Sequence, residues 1–269
     1  TQLLSVMTWV DLLLLLILAG GITAFGRKRL RKHNPVYKGV ERDFAAHCAL
    51  SIEESPLLQL STAPEGATPR YLVVDTETVC YLHDTLDETQ LSAIDTPLLA
   101  SLSWLLLDEE LRVVRSEDHL LLSGVPITSE ATDYHQLTTE FVAGHGEPPQ
   151  AVLELFLRDL ETTQMIVGHS LSFHLAVLAH DLQHYQLPSE NLRTKRRFCT
   201  MRQGINYLIS HYQADPLQTR ISLESLYSRL LWGREDLEII YQLKSRHDVV
   251  LATHCFIKLY KEPTSAADS

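Results

Sequence analysis

Tyr71-Leu72-Val73-Val74-Asp75-Thr76-Glu77-Thr78 decides how the rest of the chain is read. A β-favouring apolar run leads directly into two carboxylates separated by one residue. Side chains alternate between faces along a strand, so Asp75 and Glu77 leave the same face and can converge on one point. Adjacent carboxylates repel, and burying them costs free energy unless a cation stands between them. A hard divalent ion shared with substrate phosphates is one resolution. A strand end whose acids face water is the other.

The chain around this stretch is long enough, at 269 residues, to bury one sizeable core. Its apolar content of 45% and charged content of 21% are those of a globular protein. A formal net charge of −11 argues against wrapping duplex nucleic acid non-specifically, which needs a basic face. It leaves room for an enzyme that meets a strand end through metal ions. The four cysteines, Cys48, Cys80, Cys199 and Cys255, have no paired spacing and read as reduced thiols. Nucleotide-binding glycine loops, the G-x-S-x-G elbow and the H-E-x-x-H zinc signature are all missing.

Downstream of the opening strand, the apolar run at residues 98–107 predicts a second strand. Residues 112–116 and 119–123 predict two short further strands separated by charge, completing a meander. Helical spacing follows at Val152, Leu153, Phe156 and Leu160, then a short buried strand at Met165-Ile166-Val167. Helices are predicted over residues 173–185, after a Ser222 cap, and over residues 247–260. Strands followed by alternating helices and strands define an α/β fold, a mixed sheet with helices on its faces.

These segments resemble, in order, the motifs of the DEDD 3′–5′ exonucleases, relatives of the proofreading subunit of bacterial DNA polymerase III. Val73-Val74-Asp75-Thr76-Glu77-Thr78 looks like their first motif. Ile166-Val167-Gly168-His169-Ser170-Leu171-Ser172-Phe173-His174-Leu175 resembles the second, usually Val-Gly-His-Asn-x-x-Phe-Asp-Leu. His135-Gln136-Leu137-Thr138-Thr139-Glu140 is similar to the segment between them, and Phe198-Cys199-Thr200-Met201 and Ser222-Leu223 to connecting signals. Arg246-His247-Asp248-Val249 with Ala252-Thr253-His254-Cys255-Phe256 resembles the third motif. The likeness covers about residues 70–261 and implies a ribonuclease-H-like sheet flanked by helices.

It also implies metal-dependent cleavage of single-stranded DNA or RNA from the 3′ end, with two Mg2+ or Mn2+ ions bridging the scissile phosphate. Asp75, Glu77 and Asp248 would be metal ligands, and His247 the general base. Two departures stand out. His174 occupies the second motif's metal-binding aspartate position, where imidazole suits manganese or zinc better than magnesium. His247 and Asp248 are adjacent, whereas the family spaces them by five residues; Leu243 holds the usual histidine position. The expectation is a slow, manganese-preferring nuclease, or an exonuclease-fold module that binds without cleaving.

Blander roles remain open for several of these residues. His174 can equally be a half-buried helix residue bonded to Asp181 or a carbonyl, and His247 a solvated helix-start residue. Asp248 can serve as a helix N-terminal charge, and Asp181 or Glu224 can replace the missing acid. Thr76 and His169 are candidates for contacting nucleic acid, although His169 also reads as a tie from strand end to helix. The basic run Arg193-Thr194-Lys195-Arg196-Arg197 suits phosphates or a solvated loop. Trp104 and Trp232 read as packing.

Residues 3–26 are apolar enough to span a bilayer, which takes about 20 residues, with Asp11 and Trp9 near an interface. Arg27-Lys28-Arg29-Leu30-Arg31-Lys32 follows, and no Lys or Arg precedes the run. This asymmetry predicts an uncleaved anchor (1–26) in the inner, plasma membrane with the body cytoplasmic. A basic juxtamembrane segment and proline-punctuated linker (27–69), the exonuclease-like domain (70–262) and a short tail (263–269) complete the expected organisation.

Overall fold

The computed structural model describes residues 60–82, 91, 93–212, 214–232 and 244–262. The expected anchor, most of the linker, Leu243 and the tail lie outside them. Among the described residues no helix is long and apolar enough to cross a membrane.

Five strands form one sheet in the order β3-β2-β1-β4-β5. They are β1 (Tyr71–Thr78), β2 (Leu99–Leu107), β3 (Val113–Leu120), β4 (Met165–Gly168) and β5 (Arg196–Cys199). The first three make an antiparallel meander, while β4 runs parallel to β1 and β5 parallel to β4. β1, β2 and β4 are buried along their whole length. That explains why they read as continuous apolar runs rather than alternating ones.

The two short strands expected at residues 112–116 and 119–123 are one strand, β3. Glu117 and Asp118 lie inside it, opposite Trp104 and Ser103 of β2. Charge in the middle of the run suggested a turn. It is tolerated because β3 is an edge strand and cations answer it: Arg115 pairs with Glu117 and Arg246 with Asp118. The chain just before β1 joins the sheet too. Thr62 bridges Val113, Ser61 O accepts from Val113 N, and Leu60 packs on the core, all within the segment expected as linker.

Eight α-helices are described: α1 (Ser129–His135), α2 (Thr139–His145), α3 (Pro149–Thr162), α4 (Leu171–His184), α5 (Glu190–Thr194), α6 (Thr200–Tyr212), α7 (Leu223–Tyr227) and α8 (Lys244–Lys261). A π-helical turn, Ser228–Trp232, continues α7. The sequence reading missed α1 and α2, which at seven residues each show too little periodicity to detect. Their caps were legible: Thr128 Oγ1 accepts from Ala131 N, and Thr138 Oγ1 from Phe141 N. It also missed α6. The last helix begins at Lys244, three residues before the expected start, so Asp248 stands a turn inside it rather than at its N-terminus.

The side-chain alternation of β1 divides the core. Leu72 and Val74 face α3 and α4, packing with Trp104, Phe156, Leu175 and Leu178. Tyr71 and Val73 face α8, packing with Val249, Phe256 and Leu259. Trp104 is core, as its sequence context suggested. Its Nε1–H donates to Asp159 Oδ2 at 2.8 Å, and Arg115 neutralises that aspartate.

Candidate active site

Asp75 and Glu77 share the parity of Tyr71 and Val73, so the pleat aims both at the α8 side of the sheet. Their cross-strand partners on β2 are Ser103 and Ser101. Both serine hydroxyls meet Ser245 Oγ of α8, at 2.9 and 3.0 Å, in a cluster fully sealed from water. Arg246, the next residue, binds Ser116 Oγ and Asp118 on β3. The start of α8 is thereby pinned to two strands. One turn later it delivers Asp248 to the acids of β1. Carboxylate oxygens of Asp75, Glu77 and Asp248 lie within 4.8 Å of one another, and all three residues are buried. The two open readings of Asp-x-Glu are thus separated: these acids do not face bulk water.

From the opposite face of the sheet, α4 brings His174 to the same point. Two features make this approach possible. A Cβ on Gly168 would stand 3.0 Å from Val74 O and 3.1 Å from Leu171 Cδ1, a tight fit that glycine avoids where β4 ends beside β1. Ser170 then adopts the left-handed conformation (φ 51°, ψ 42°) and turns the chain into α4. His174 Nδ1 lies 2.9 Å from Thr76 Oγ1, and Nε2 lies 3.3 Å from Asp75 Oδ1. Asp181 is not its partner. It accepts the backbone N–H groups of Leu98 and Leu99 at 2.8 and 3.0 Å and ties α4 to the start of β2. So committed, Asp181 does not stand in for the missing acid.

These residues line a cleft of about 390 Å³, in the size range of small-ligand sites. Glu224 and Arg220 contribute opposite charges to its wall, and Phe173, Tyr81 and Tyr134 an aromatic rim. Tyr81 and Tyr134 pack edge to face with centroids 5.8 Å apart and are 50% and 55% exposed. Neither was singled out from the sequence, since isolated tyrosines in a polar stretch carry no pattern. Burial pushes the Cys80 thiol up, which disfavours the nucleophilic thiolate.

Three histidines reach the cleft, and each has both ring nitrogens against protein partners. His135 donates to Thr78 O at 2.9 Å and accepts from Leu137 N at 3.1 Å. His169 donates to Ile221 O at 2.9 Å and faces Thr200 Oγ1 at 3.1 Å. It joins the end of β4 to the start of α6 and the approach to α7, not to the next helix, α4, as its position suggested. His174 sits between Thr76 and Asp75. His247, expected as the general base, is 1% exposed and is not among the residues lining the cleft, so it is not solvated.

None of Arg193, Lys195, Arg196 and Arg197 lines the cleft. Arg196 pairs with Met165, which pairs with Tyr71, so the run sits at the far end of the sheet, about 13 Å along the strand from Asp75. Lys195 is spent on the carbonyls of Glu161 and Thr163 at the C-terminus of α3, and Arg197 on Leu192 O.

Strand order, the carboxylate-bearing central strand and the helix delivering a third acid make a mixed α/β fold that matches the fold of solved exonuclease structures. No protein-family model matches the chain, and no curated protein does. Solved structures do. Escherichia coli Exonuclease I bound to a 5cy-dA13 oligonucleotide superposes with TM-score 0.54 at 13% identity, over 71% of this chain and 40% of that one. A moderately thermophilic Exonuclease I from Methylocaldum szegediense gives TM-score 0.54 at 13% identity, over 72% and 40%. The zinc-bound form of the E. coli enzyme with single-stranded DNA gives 0.55 at 14%, over 72% and 41%. This chain therefore spans about two-fifths of the length of those enzymes. At such identities the shared property is the fold.

Proposed function

We propose that this chain is a metal-dependent 3′–5′ exonuclease acting on single-stranded DNA or RNA ends, held at the inner face of the plasma membrane by its N-terminal segment. One observation carries the reading: Asp75, Glu77 and Asp248, from a central strand and the last helix, converge within 4.8 Å at the floor of a cleft. Three converging carboxylates repel a phosphodiester unless a cation neutralises them. Their hard oxygen donors fit Mg2+ or Mn2+. A divalent ion held by these three acids would supply an acidified water and stabilise charge on the scissile phosphate.

The chain's own residues supply the rest. Asp75, Glu77 and Asp248 hold the ion, Thr76 and His174 orient Asp75, and Tyr81 and Tyr134 offer ring faces on which unpaired bases stack. With His135, His169 and His174 engaged by the protein and His247 off the cleft wall, no role in proton transfer is assigned to a histidine.

That last feature favours a second reading, an exonuclease-fold module that grips strand ends without cutting them. A 3′-labelled oligonucleotide with Mn2+ or Mg2+ separates the two. Label release by wild type and not by Asp75→Ala supports the enzyme. Retarded migration of the oligonucleotide with release no faster than Asp75→Ala supports the binding module.

A further inference from the structure

Resting on the reading of the cleft as a seat for a nucleic-acid strand, we infer that Arg220 grips the strand's backbone. Its guanidinium takes a phosphate beyond the one that lies over the three acids. Place in the fold carries the argument, because Arg220 and the tyrosines stand on opposite sides of β1. The α1–α2 segment that carries Tyr134 packs through Leu137 and Val142 on Ala100 of β2 and Leu120 of β3. Arg220 stands beyond the other neighbour of β1. His169, just past the end of β4, donates to the carbonyl of Ile221 at 2.9 Å. A strand that crosses Asp75 and Glu77 with its bases on the tyrosines therefore turns its sugar–phosphate edge toward Arg220.

The chain presents this side chain from a fixed base. Ile221 and Leu223 are buried in the core, whereas Arg220 is exposed and lines the cleft. Gln218 Nε2 donates to Arg220 O at 3.0 Å, and Ser222 Oγ accepts from Ser225 N to cap α7. A side chain on anchored backbone gives up less freedom when it binds. Glu224 lies on the cleft wall as well. A guanidinium has five N–H donors, and a bidentate pairing with one carboxylate uses two of them. Donors remain for a phosphate, whose geometry the planar fork matches. Charge favours the same contact. Asp75, Glu77, Glu224 and Asp248 all line the cleft, and a cation among acids touches oxygens only about 2.0–2.6 Å away. It answers one phosphate and leaves the neighbouring one to the protein.

The test uses the full chain, with Ca2+ to fill the acids, and short fluorescein-labelled DNA single strands. In each strand one linkage is a neutral methylphosphonate, and affinity is read by fluorescence anisotropy across a range of salt. One linkage, when neutral, should weaken wild type about tenfold and leave Arg220→Gln unchanged, as expected for loss of a hydrogen bond to a charged group. Arg220→Gln should also flatten the logarithmic salt dependence by about 0.7, the share of one single-strand phosphate. Arg220→Lys should restore that slope, since it keeps the charge, and recover only part of the affinity, since it lacks the fork. An Arg220→Gln chain with the wild-type salt slope, or as sensitive as wild type at every linkage, would overturn the inference while leaving the nucleic-acid reading standing. So would a wild type for which no single linkage matters, a result that needs no variant to fold. A wild type that binds none of the strands would remove the nucleic-acid reading, and this contact with it.

Discussion

Asp248→Asn is the most informative single change, because it relieves charge in the free protein and removes a ligand from the bound one. Unit charges 4.8 Å apart, the outer limit for these oxygens, repel by about 0.9 kcal/mol at the dielectric of water and about 3.5 kcal/mol at an effective value of 20. Neutralising Asp248 removes two such pairs, hence roughly 2 to 7 kcal/mol. The lower figure is the appropriate one, since Asp75 already faces His174 and the cleft admits water. For a domain this size, about 2 kcal/mol corresponds to a rise in melting temperature of about 4–8 °C. The isosteric amide keeps the packing. In chelator, then, Asp248→Asn should melt above wild type.

Manganese should reverse that order. At a concentration a thousand times its dissociation constant, a bound ion stabilises the native state by about 4 kcal/mol. Wild type gains this, and the variant, short of one ligand and one negative charge, gains little. Thermal denaturation with and without Mn2+, followed by circular dichroism, reads both effects at once. A variant that melts below wild type in chelator, or that keeps the full manganese shift, would refute the claim that these carboxylates oppose one another and share an ion.

Three further outcomes follow from particular contacts. Ser245→Val should cost about 2–4 kcal/mol in urea denaturation, because it strands the buried hydroxyls of Ser101 and Ser103. It should also weaken Mn2+ binding by loosening the helix start that aims Asp248; unchanged binding would show that Ser245 does not position it. Replacing both Tyr81 and Tyr134 with alanine should lower affinity for an unpaired oligonucleotide by about 1.5 to 4 orders of magnitude, at a stacking worth of about 1–3 kcal/mol for each of two bases, and leave Mn2+ binding intact. The hydrogen bond that His180 donates to the Asp181 carboxylate raises the His180 pKa above its ordinary value. A raised folded-state pKa stabilises the native state below the unfolded pKa of about 6.5, and that stability is lost as pH rises through the folded value. The stability gap between wild type and His180→Gln, from urea melts across pH, should therefore narrow with rising pH above about 6.5; a gap that widens would contradict the assignment.

Much of the architecture was written locally. β1, β2 and β4 are buried on both faces, and burial of that kind leaves continuous apolar runs that need no knowledge of neighbours. The two acids of β1 share a face because strand periodicity is two, and Ser222 announced its helix because capping is a contact between residues three apart. What failed was local signal overridden at a distance. Glu117 and Asp118 look like a turn until Arg115 and Arg246 neutralise them, and α1 and α2 are too short to show a period.

The site itself lay beyond local reading, except for its acids. Nothing around Ser245 says that it will meet Ser101 and Ser103, more than 140 residues away, and so carry Asp248 to the cleft. Nor could the histidines be assigned from their neighbours in the chain. A histidine becomes a base, a ligand or a strut according to which atoms face its two nitrogens. Those atoms, on Thr76 and Asp75 for His174 and on Thr200 and Ile221 for His169, come from other elements of the fold. Amino-acid order decided which groups were available. Only packing decided which of them met, because side-chain chemistry is selected by contacts that separate segments make once the sheet and its helices close together.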